Sequence, residues 1–432
     1  MMPVHVAVWS TEVTVPVGHS LCGGWIKSAS KIETPLRGLG LVLLGDEPPV
    51  VICALDWCGL CNDAHVRMRE VLANAAHTTA ERVTIHTVHQ HNAPFVDWTA
   101  QREVSRQPDL PPIFDVGWWE NVTRQLAESL RESLRHLQKL THVSFGQARV
   151  ERVASNRRVV GPDGKIRYWR GSSCKDPQAR AEPEGVIDPF LKTLVLWSGD
   201  RRVVTLHYYA THPMSYYGDG VVNSDFVGLA RDRRSRETGN PHIYFTGCAG
   251  NVAAGKYNDG SPENRPVLAQ RIYEALVASE KSAQRVAISG YRWRTREILL
   301  PPRSDADVER LRAILADRQQ PVAVRNRSAM KLSYRLRAEA RVPIVLSRLV
   351  LHDGVSLLHL PAEAFVEYQL YAQELLPQEF VAVAAYGDDG PWYIPLKRSF
   401  AEGGYEPSVA FAEPDSEDIL RRAIASLLQS HR

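Results

Sequence analysis

The 432-residue chain is 44% hydrophobic and close to charge balance, with 52 basic and 49 acidic side chains. Its length allows a large buried core, and its balanced charge gives no global field that points to nucleic acid or to a membrane surface. The arginine-rich stretches at residues 231–236 and 325–341 are typical of solvated or salt-bridged faces. No apolar run approaches the roughly 20 residues of a membrane span, and no secretory signal pattern precedes the first strand. We therefore expect a cytoplasmic protein without a transmembrane segment or a nucleic-acid partner.

The first predicted unit is a strand–helix–strand segment. Apolar runs at residues 39–44 and 50–55 predict two buried strands joined by a turn that contains Gly and Pro. Residues 63–77 have the pattern of a capped helix, and this helix leads to a third strand at residues 83–88. A strand–helix–strand order implies parallel pairing. We predict a mixed α/β fold with a largely parallel sheet flanked by helices.

Two cysteines between the second strand and this helix have the spacing of a redox site. Cys58 and Cys61 form a C-x-x-C motif with Trp57 before it, as in thioredoxin-like proteins. The motif follows a buried strand, however, and no second C-x-x-C completes a zinc ribbon. Six cysteines in a chain of this length do not make a disulfide scaffold. A structural, buried pair is favoured, and a thiol redox protein is kept as an alternative.

The third strand ends in a histidine-rich stretch. His86, His89 and His91 follow one another closely and stop at the turn signal Asn92-Ala93-Pro94. Residues at i and i+2 of an extended chain share a face, so His89 and His91 can point into one cleft, whereas His86 faces the other side. Neutral imidazole is the commonest metal ligand and a natural acid–base group near neutral pH. A polar strand end with solvated histidines is the competing interpretation.

The middle of the chain has weaker patterns. Apolar residues at helical spacing predict a long amphipathic helix over about residues 118–140. Residues 160–187 are rich in Gly, Pro and charge, which predicts a loop. Between residues 288 and 348 we predict one helix, at 305–317, among arginine-rich connections.

Three further apolar strands are followed by candidate metal ligands. His212 follows a predicted hairpin, Glu363 follows a strand, and Tyr393 follows a strand and a Gly-Asp turn, as His89 follows the first unit. In open α/β sheets, strand ends gather at one edge, where ligands bind. Two imidazoles and a carboxylate form an open catalytic zinc set. The pattern predicts a metal site at the strand ends, although each residue taken singly fits a structural role equally well.

Several short stretches, taken together, match the motif set of a known family. In them the chain resembles the neutral (non-lysosomal) ceramidases, and the resemblance runs from Trp9 to Tyr405, over nearly the whole chain. The matching stretches are Val88-His89-Gln90-His91-Asn92-Ala93-Pro94, Asn156-Arg157, Thr211-His212-Pro213, Asn223-Ser224-Asp225 (a loose match), Pro361-Ala362-Glu363, and the pair Tyr393 and Tyr405.

The resemblance implies one Zn²⁺ per chain. The family's zinc-binding positions match His89, His212, Glu363 and Tyr393. Zinc in such a set lowers the pKa of bound water to about 7 and polarises a carbonyl group. The implied activity is hydrolysis of a C–N amide bond, or of an ester, with metal-bound water as the nucleophile.

The resemblance also implies roles for three further residues. His91 corresponds to a catalytic histidine that moves the proton to the leaving amine, and Arg157 and Tyr405 correspond to residues that orient the substrate or stabilise the oxyanion. The implied substrate is a small-molecule or lipid-like N-acyl compound. We expect residues 1–432 to form a single catalytic domain, without the C-terminal immunoglobulin-like domain of larger family members.

The chain departs from the family at one motif. The family has G-D-V-S-P where this chain has Gly250-Asn251-Val252-Ala253-Ala254, so Ala253 stands at the position of a catalytic serine. A serine-dependent step is therefore excluded at that position. A degenerate member that binds a metal or ligand without turnover is the second interpretation, and the retention of His91 and Tyr405 speaks against it.

Overall fold

The structure, a computed structural model, describes residues 2–429. Its strands are β1 His5–Glu12, β2 Lys31–Ile32, β3 Arg37–Leu44, β4 Val50–Leu55, β5 Gly59–Cys61, β6 Val83–Thr87, β7 Phe95–Asp97, β8 Gln138–Lys139, β9 His142–Arg149, β10 Ser155–Asn156, β11 Arg158–Val160, β12 Ile166–Trp169, β13 Phe190–Ser198, β14 Arg201–Tyr209, β15 Val221–Val222, β16 His242–Thr246, β17 Val252–Ala253, β18 Gln284–Ala287, β19 Arg292–Ile298, β20 Ile344–His352, β21 Val355–His359, β22 Glu363–Ala364, β23 Phe380–Ala384 and β24 Tyr393–Ile394. Its α-helices are α1 Asn62–Ala75, α2 Trp98–Val104, α3 Val116–Ser133, α4 Pro177–Ala181, α5 Asp225–Thr238, α6 Asn264–Lys281, α7 Val308–Ala316, α8 Val322–Glu339, α9 Val366–Leu375, α10 Lys397–Glu402, α11 Tyr405–Val409 and α12 Ser416–Gln429.

Three larger sheets carry the fold. Their strand orders are β6-β4-β3-β1-β8, β16-β14-β13-β9-β18 and β19-β20-β21-β23. Each sheet has one parallel pair at one edge, namely β4–β6, β14–β16 and β21–β23. The other pairs in these three sheets are antiparallel. The prediction of a mixed α/β fold is confirmed.

The prediction of a largely parallel sheet needs correction. In each sheet the two parallel strands are those connected through a helix, respectively α1, α5 and α9. Short connections such as residues 45–49, between β3 and β4, can only return the chain antiparallel. The strand–helix–strand rule therefore holds for β4–α1–β6, but it describes only one pair in each sheet.

The three parallel edges meet at their carboxyl ends. The backbone N–H of Thr87 donates to the carbonyl of Tyr386 at 2.8 Å, and that of Ala385 donates to Thr246 at 2.9 Å. The Thr246 hydroxyl in turn donates to the carbonyl of Val88 at 2.7 Å. These bonds join the exits of β6, β16 and β23, so the segments that follow the parallel strands share one region of the molecule.

Apolar side chains fill both faces of the inner strands. On β3, Leu41 and Leu43 pack into a core that includes strands of all three sheets, and Val42 packs on the opposite side under the helices. Burial on both faces explains why β3 and β4 appear in the sequence as continuous apolar runs. No helix within residues 2–429 has both the length and the apolar character to cross a membrane.

The predicted helices are confirmed where an apolar face defines them. The helix predicted at 63–77 is α1, and that at 305–317 contains α7. The helix predicted at 118–140 ends earlier, at Ser133, because the apolar face stops there and Leu137 is 43% exposed. The predicted loop at 160–187 contains the short strand β12 and the helix α4, which is capped by the side chain of Asp176.

Helix α8 replaces the arginine-rich connections predicted before residue 348. Its buried side includes Arg325 and Arg337, which pair with Asp109 and Asp388. Because basic residues occupy both sides of this helix, it lacks the apolar–polar contrast that reveals an amphipathic helix. The prediction of salt-bridged arginines is confirmed for these two residues.

A buried ion pair joins β4 to α5. Asp56, just after β4, accepts hydrogen bonds from both terminal nitrogens of Arg231, at 2.6 and 2.9 Å, and from the backbone N–H of Arg37 at 2.9 Å. Asp56 and Arg231 are each 1% exposed. Asp56 thus ties the sheet that contains β3 and β4 to helix α5.

Replacing Arg231 with Met should destabilise the protein by about 3–5 kcal/mol, because the Asp56 carboxylate would be left buried without its counter-charge. Chemical denaturation of the variant beside the wild type measures this loss. Arg233→Ala is the matched control, since Arg233 is on the same helix in an exposed pair with Glu237, and it should change stability by less than about 1 kcal/mol. Equal losses in the two variants would contradict the role assigned to Asp56.

Candidate metal centre

Three predicted ligands converge where the parallel strands end. His89 follows β6, His212 follows β14, and Glu363 begins β22, after β21. One ligand atom from each lies within 4.8 Å of the others, and all three residues are buried. The nearer oxygen of Glu363 is 3.0 Å from Nε2 of His212 and 3.4 Å from Nε2 of His89.

Backbone carbonyls set the orientation of both imidazoles. Nδ1 of His89 lies 2.6 Å from the carbonyl oxygen of Cys58, and Nδ1 of His212 lies 2.7 Å from that of Ala249. A carbonyl oxygen only accepts, so each Nδ1 carries its proton and each ring directs Nε2 at Glu363. This is the arrangement of metal-bound histidines, whose second nitrogen donates to a carbonyl or carboxylate.

The chemistry of the three groups fits a bound cation. Nε2 of His89 is buried and has no hydrogen-bond partner among the described residues. Burial disfavours the charged form of His89, but the Glu363 carboxylate outweighs burial and raises the pKa of His89. Although burial alone would raise it, the pKa of Glu363 is held well below its usual range by the two histidines. The donor set therefore fits a divalent cation such as zinc.

Tyr393 is placed beside this group by the sheet register. In the parallel pair β22–β24, Tyr393 lies opposite Glu363. Its ring stacks on the ring of His212 at an interplanar angle of 16°, with the centroids 6.4 Å apart. The Tyr393 hydroxyl accepts a hydrogen bond from Arg157 at 3.1 Å. Tyr393 therefore lies next to His212 and in register with Glu363, and its role as a ligand stays a prediction.

Arg157 also contacts this group of residues. Its Nη1 lies 3.4 Å from Nε2 of His212, and its Nε lies 3.3 Å from a carboxylate oxygen of Glu406. Both Arg157 and Glu406 are buried. The guanidinium also lies over the ring of Trp169, 4.8 Å from the centroid. Arg157 is therefore fixed in place next to the candidate metal centre. Glu406 balances its charge, and its N–H groups can donate hydrogen bonds there.

His91 lies beside the group without belonging to it. Its ring is 4.9 Å from that of His89 and 6.2 Å from that of His212. Nδ1 of His91 donates to the carbonyl of His89 at 3.2 Å, which leaves Nε2 as the acceptor. Burial, followed by the charges of His89 and His212, lowers the pKa of His91 well below its usual value, so this ring is neutral.

The proximity of His89 and His91 has a different cause from the one predicted. Strand β6 ends at Thr87, and His89 has a φ of 74°, so a turn and not strand alternation brings the two rings together. His86 does face away from the group, as predicted. Its Nδ1 donates to the carbonyl of Ala385 at 2.6 Å, and its Nε2 lies 2.8 Å from the Thr84 hydroxyl.

A cavity of about 80 Å³ opens onto the candidate centre. Its lining includes His89, His91, Glu363, Tyr393 and Tyr405, so the structure brings five predicted site residues to one surface. His212 and Arg157 stand directly behind them. Sequence reasoning missed the rest of the wall, which consists of Cys22, Trp25, Cys58, Phe95, Tyr217, Arg327 and Trp392.

Cys58 belongs to this wall and not to a redox pair with Cys61. Its sulfur lies 3.9 Å from that of Cys22, close to His91. The hydrogen bond with Cys22 and burial raise the pKa of Cys58, and burial raises the pKa of Cys61. A reactive thiol needs a lowered pKa and access to solvent. The arrangement therefore favours the structural interpretation of the C-x-x-C motif.

A second histidine cluster is fully engaged in other contacts. His207, His242 and Glu280 are close enough to hold a metal. However, Nε2 of His207 and Nδ1 of His242 bond each other at 2.8 Å, and Glu280 pairs with Arg202 and Arg234. These ligand atoms already have partners, in contrast to Nε2 of His89.

The departure from the family motif has a structural consequence. The Asn251 side chain accepts from the backbone N–H of Val366 at 2.8 Å and donates to Glu367 at 2.8 Å, so it caps helix α9. The carbonyl of Asn251 accepts from the N–H of Arg157 at 2.7 Å. Ala253 is buried in the strand pair β10–β17. The segment of residues 250–254 therefore positions Arg157, and Ala253 supplies no hydroxyl.

Comparison with solved structures identifies proteins that have the same fold. No protein-family profile and no curated protein matches the sequence. Among solved structures, the neutral ceramidase from Pseudomonas aeruginosa superposes with a TM-score of 0.72 at 14% identity, covering 100% of this chain and 75% of that one. A ceramidase complexed with C2 gives a TM-score of 0.72 at 13% identity, covering 100% and 76% of the two chains. The resemblance is thus confirmed at the level of the fold: this chain has the fold of the neutral ceramidase structures.

Proposed function

We propose that the protein is a zinc-dependent hydrolase of a C–N amide bond, with one Zn²⁺ per chain. One observation carries this proposal: Nε2 of His89, Nε2 of His212 and the carboxylate of Glu363 are buried and lie within 4.8 Å of one another. A divalent cation bound between them would satisfy all three groups at once. Tyr393, in register with Glu363, would complete the ligands.

The remaining residues would handle the proton and the substrate. When bound, zinc supplies a Lewis acid for the carbonyl and lowers the pKa of a water molecule to about 7. His91 is neutral with a free Nε2, so it can take up a proton and deliver it to the leaving nitrogen. Arg157 is held by Glu406 and can donate to the oxygen on which negative charge develops.

Tyr405 would act from the cavity wall. Its ring packs edge-on against that of Tyr393, with centroids 5.8 Å apart, and faces the same cavity as His91. We propose that it orients a small-molecule or lipid-like N-acyl substrate. None of these roles needs the serine that Ala253 replaces, because the nucleophile would be water and the oxyanion donor would be Arg157.

The alternative is a family relative that binds the metal or a ligand without turnover. The observation that favours it is Ala253, which removes a hydroxyl from the site. A protein that had lost catalysis would have no need to keep a neutral acid–base histidine on the cavity wall. The shared cavity of His91, Tyr393 and Tyr405 therefore favours the enzyme.

Elemental analysis tests the metal. Wild-type protein purified without chelator should contain one zinc per chain, and His89→Ala and His212→Ala should each lose it, because either change removes one of the two proposed imidazole ligands. His207→Ala, in the histidine cluster whose atoms are already paired, is the control and should keep its zinc. A wild type that stays metal-free after zinc is added back, or a His212→Ala variant that keeps its zinc, would contradict the assignment.

Replacing His91 with Ala separates proton transfer from metal binding. The variant should retain its zinc but lose about 10²–10⁴-fold in kcat on an amide substrate, since general acid–base groups typically contribute that much. Screening of amide and ester substrates with the wild type, followed by steady-state kinetics of the variant, provides the measurement. An unchanged kcat would remove His91 from the mechanism, and loss of zinc would show that it acts as a ligand.

A further inference from the structure

One cation on the cavity wall was not predicted as part of the site. Arg327 is on α8 and lines the cavity together with His91, Glu363 and Tyr405. Its guanidinium carbon lies over the ring of Trp392, 5.6 Å from the centroid. The residue is half-buried, so its charge is partly withdrawn from water.

Arg327 differs from its neighbours on the helix because it has no partner. Arg325 pairs with Asp109 at 2.6 Å, and Arg337 pairs with Asp388. Among residues 2–429, by contrast, no carboxylate forms an ion pair with Arg327, and its nitrogens make no hydrogen bond. Its Nε is buried and unpartnered. A partly buried guanidinium is stabilised by a counter-charge.

The other charges around the cavity are already compensated. Arg157 has Glu406 and the Tyr393 hydroxyl as partners. The Glu363 carboxylate is committed to the two histidines of the candidate centre. Arg327 is therefore left as the free positive charge that faces the cavity.

We propose that Arg327 binds an anionic group of the substrate, so that the substrate is an amide of the N-acyl amino acid type. The inference rests on the proposed amidase function and specifies its substrate class. A guanidinium presents a planar fork of donors that matches a carboxylate or a phosphate. Arg327 lines the same cavity of about 80 Å³ as His91 and Glu363. An anionic group bound to Arg327 therefore lies close to the scissile bond, as the carboxylate of an amino acid does.

The aromatic residues of the wall fit the rest of such a molecule. Trp25, Phe95 and Trp392 form one packed group, with ring centroids 6.1 Å apart for Trp25–Trp392 and 6.0 Å apart for Phe95–Trp392. These rings offer an apolar surface next to the cation, and Trp392 also shields the guanidinium from water. A charged group bound there would be recognised more strongly than at an exposed arginine.

Three N-hexanoyl amides test this assignment. N-hexanoylglycine carries a carboxylate, N-hexanoylphosphoethanolamine carries a phosphate, and N-hexanoylglycinamide is neutral. The wild type should hydrolyse one anionic amide with kcat/KM at least about 10-fold above that of the neutral amide, the size of one charged hydrogen bond. Arg327→Gln should reduce this ratio to near one, mainly through KM. A preference for N-hexanoylglycine supports the N-acyl amino acid class, whereas a preference for N-hexanoylphosphoethanolamine would overturn that class.

Two further variants control for indirect effects. Arg327→Lys keeps the charge but not the fork, so it should retain part of the preference. Arg335→Gln changes an arginine of the same helix that pairs with Glu339 at 2.8 Å and lies outside the cavity lining, and it should retain all of the preference. A preference that survives in Arg327→Gln, or that is lost equally in Arg335→Gln, would overturn the assignment.

Calorimetric titration of the same three compounds into the protein as purified distinguishes this inference from the proposed function. If no compound is hydrolysed but an anionic one binds more tightly than the amide, and Arg327→Gln abolishes that difference, the anion site stands and the hydrolase proposal fails. If hydrolysis occurs without preference for either anionic compound, the hydrolase proposal stands and the anion site fails. Equal binding of all three compounds without hydrolysis contradicts both.

Discussion

The structure depends on a buried carboxylate that faces two imidazole rings. Glu363 meets Nε2 of both His89 and His212, and all three residues are buried. The carbonyls of Cys58 and Ala249 accept from Nδ1 of the two rings and so hold Nε2 of each ring toward Glu363. The two histidines in turn keep the pKa of Glu363 well below its usual range.

The sheets explain how distant segments reach this point. Each of the three larger sheets contributes one parallel pair, joined through a helix, and the exits of β6, β14 and β21 deliver His89, His212 and Glu363. Hydrogen bonds among Thr87, Thr246, Ala385 and Tyr386 tie the edges to one another. Antiparallel strands then extend each sheet away from the site. The parallel pairs therefore position the candidate centre, and the antiparallel strands build the core that supports it.

Charge compensation divides the site into two parts. Around the candidate centre, Arg157 is paired with Glu406, and Glu363 is paired with the two histidines. On the far wall, Nε of Arg327 is buried without a partner among residues 2–429. At residues 250–254, where this chain differs from the ceramidase motif, Asn251 caps α9 and its carbonyl accepts from the N–H of Arg157. Ala253 is buried in the strand pair β10–β17, so its position is purely structural.

Local patterns in the sequence determined the helices with a clear apolar face, the buried strands, and the four candidate ligands at strand exits, since periodicity, caps and short motifs depend only on neighbouring residues. The tertiary structure alone decided the strand directions, the existence of α8 and the cavity-lining residues that the sequence did not predict. Pairing direction depends on whether a helix or a short turn joins two strands. Cys58 meets Cys22, and Arg325 meets Asp109, through contacts between segments far apart in the chain. Arg327 meets no carboxylate within residues 2–429. No pattern along the sequence encodes which charged residue finds a partner and which is left free.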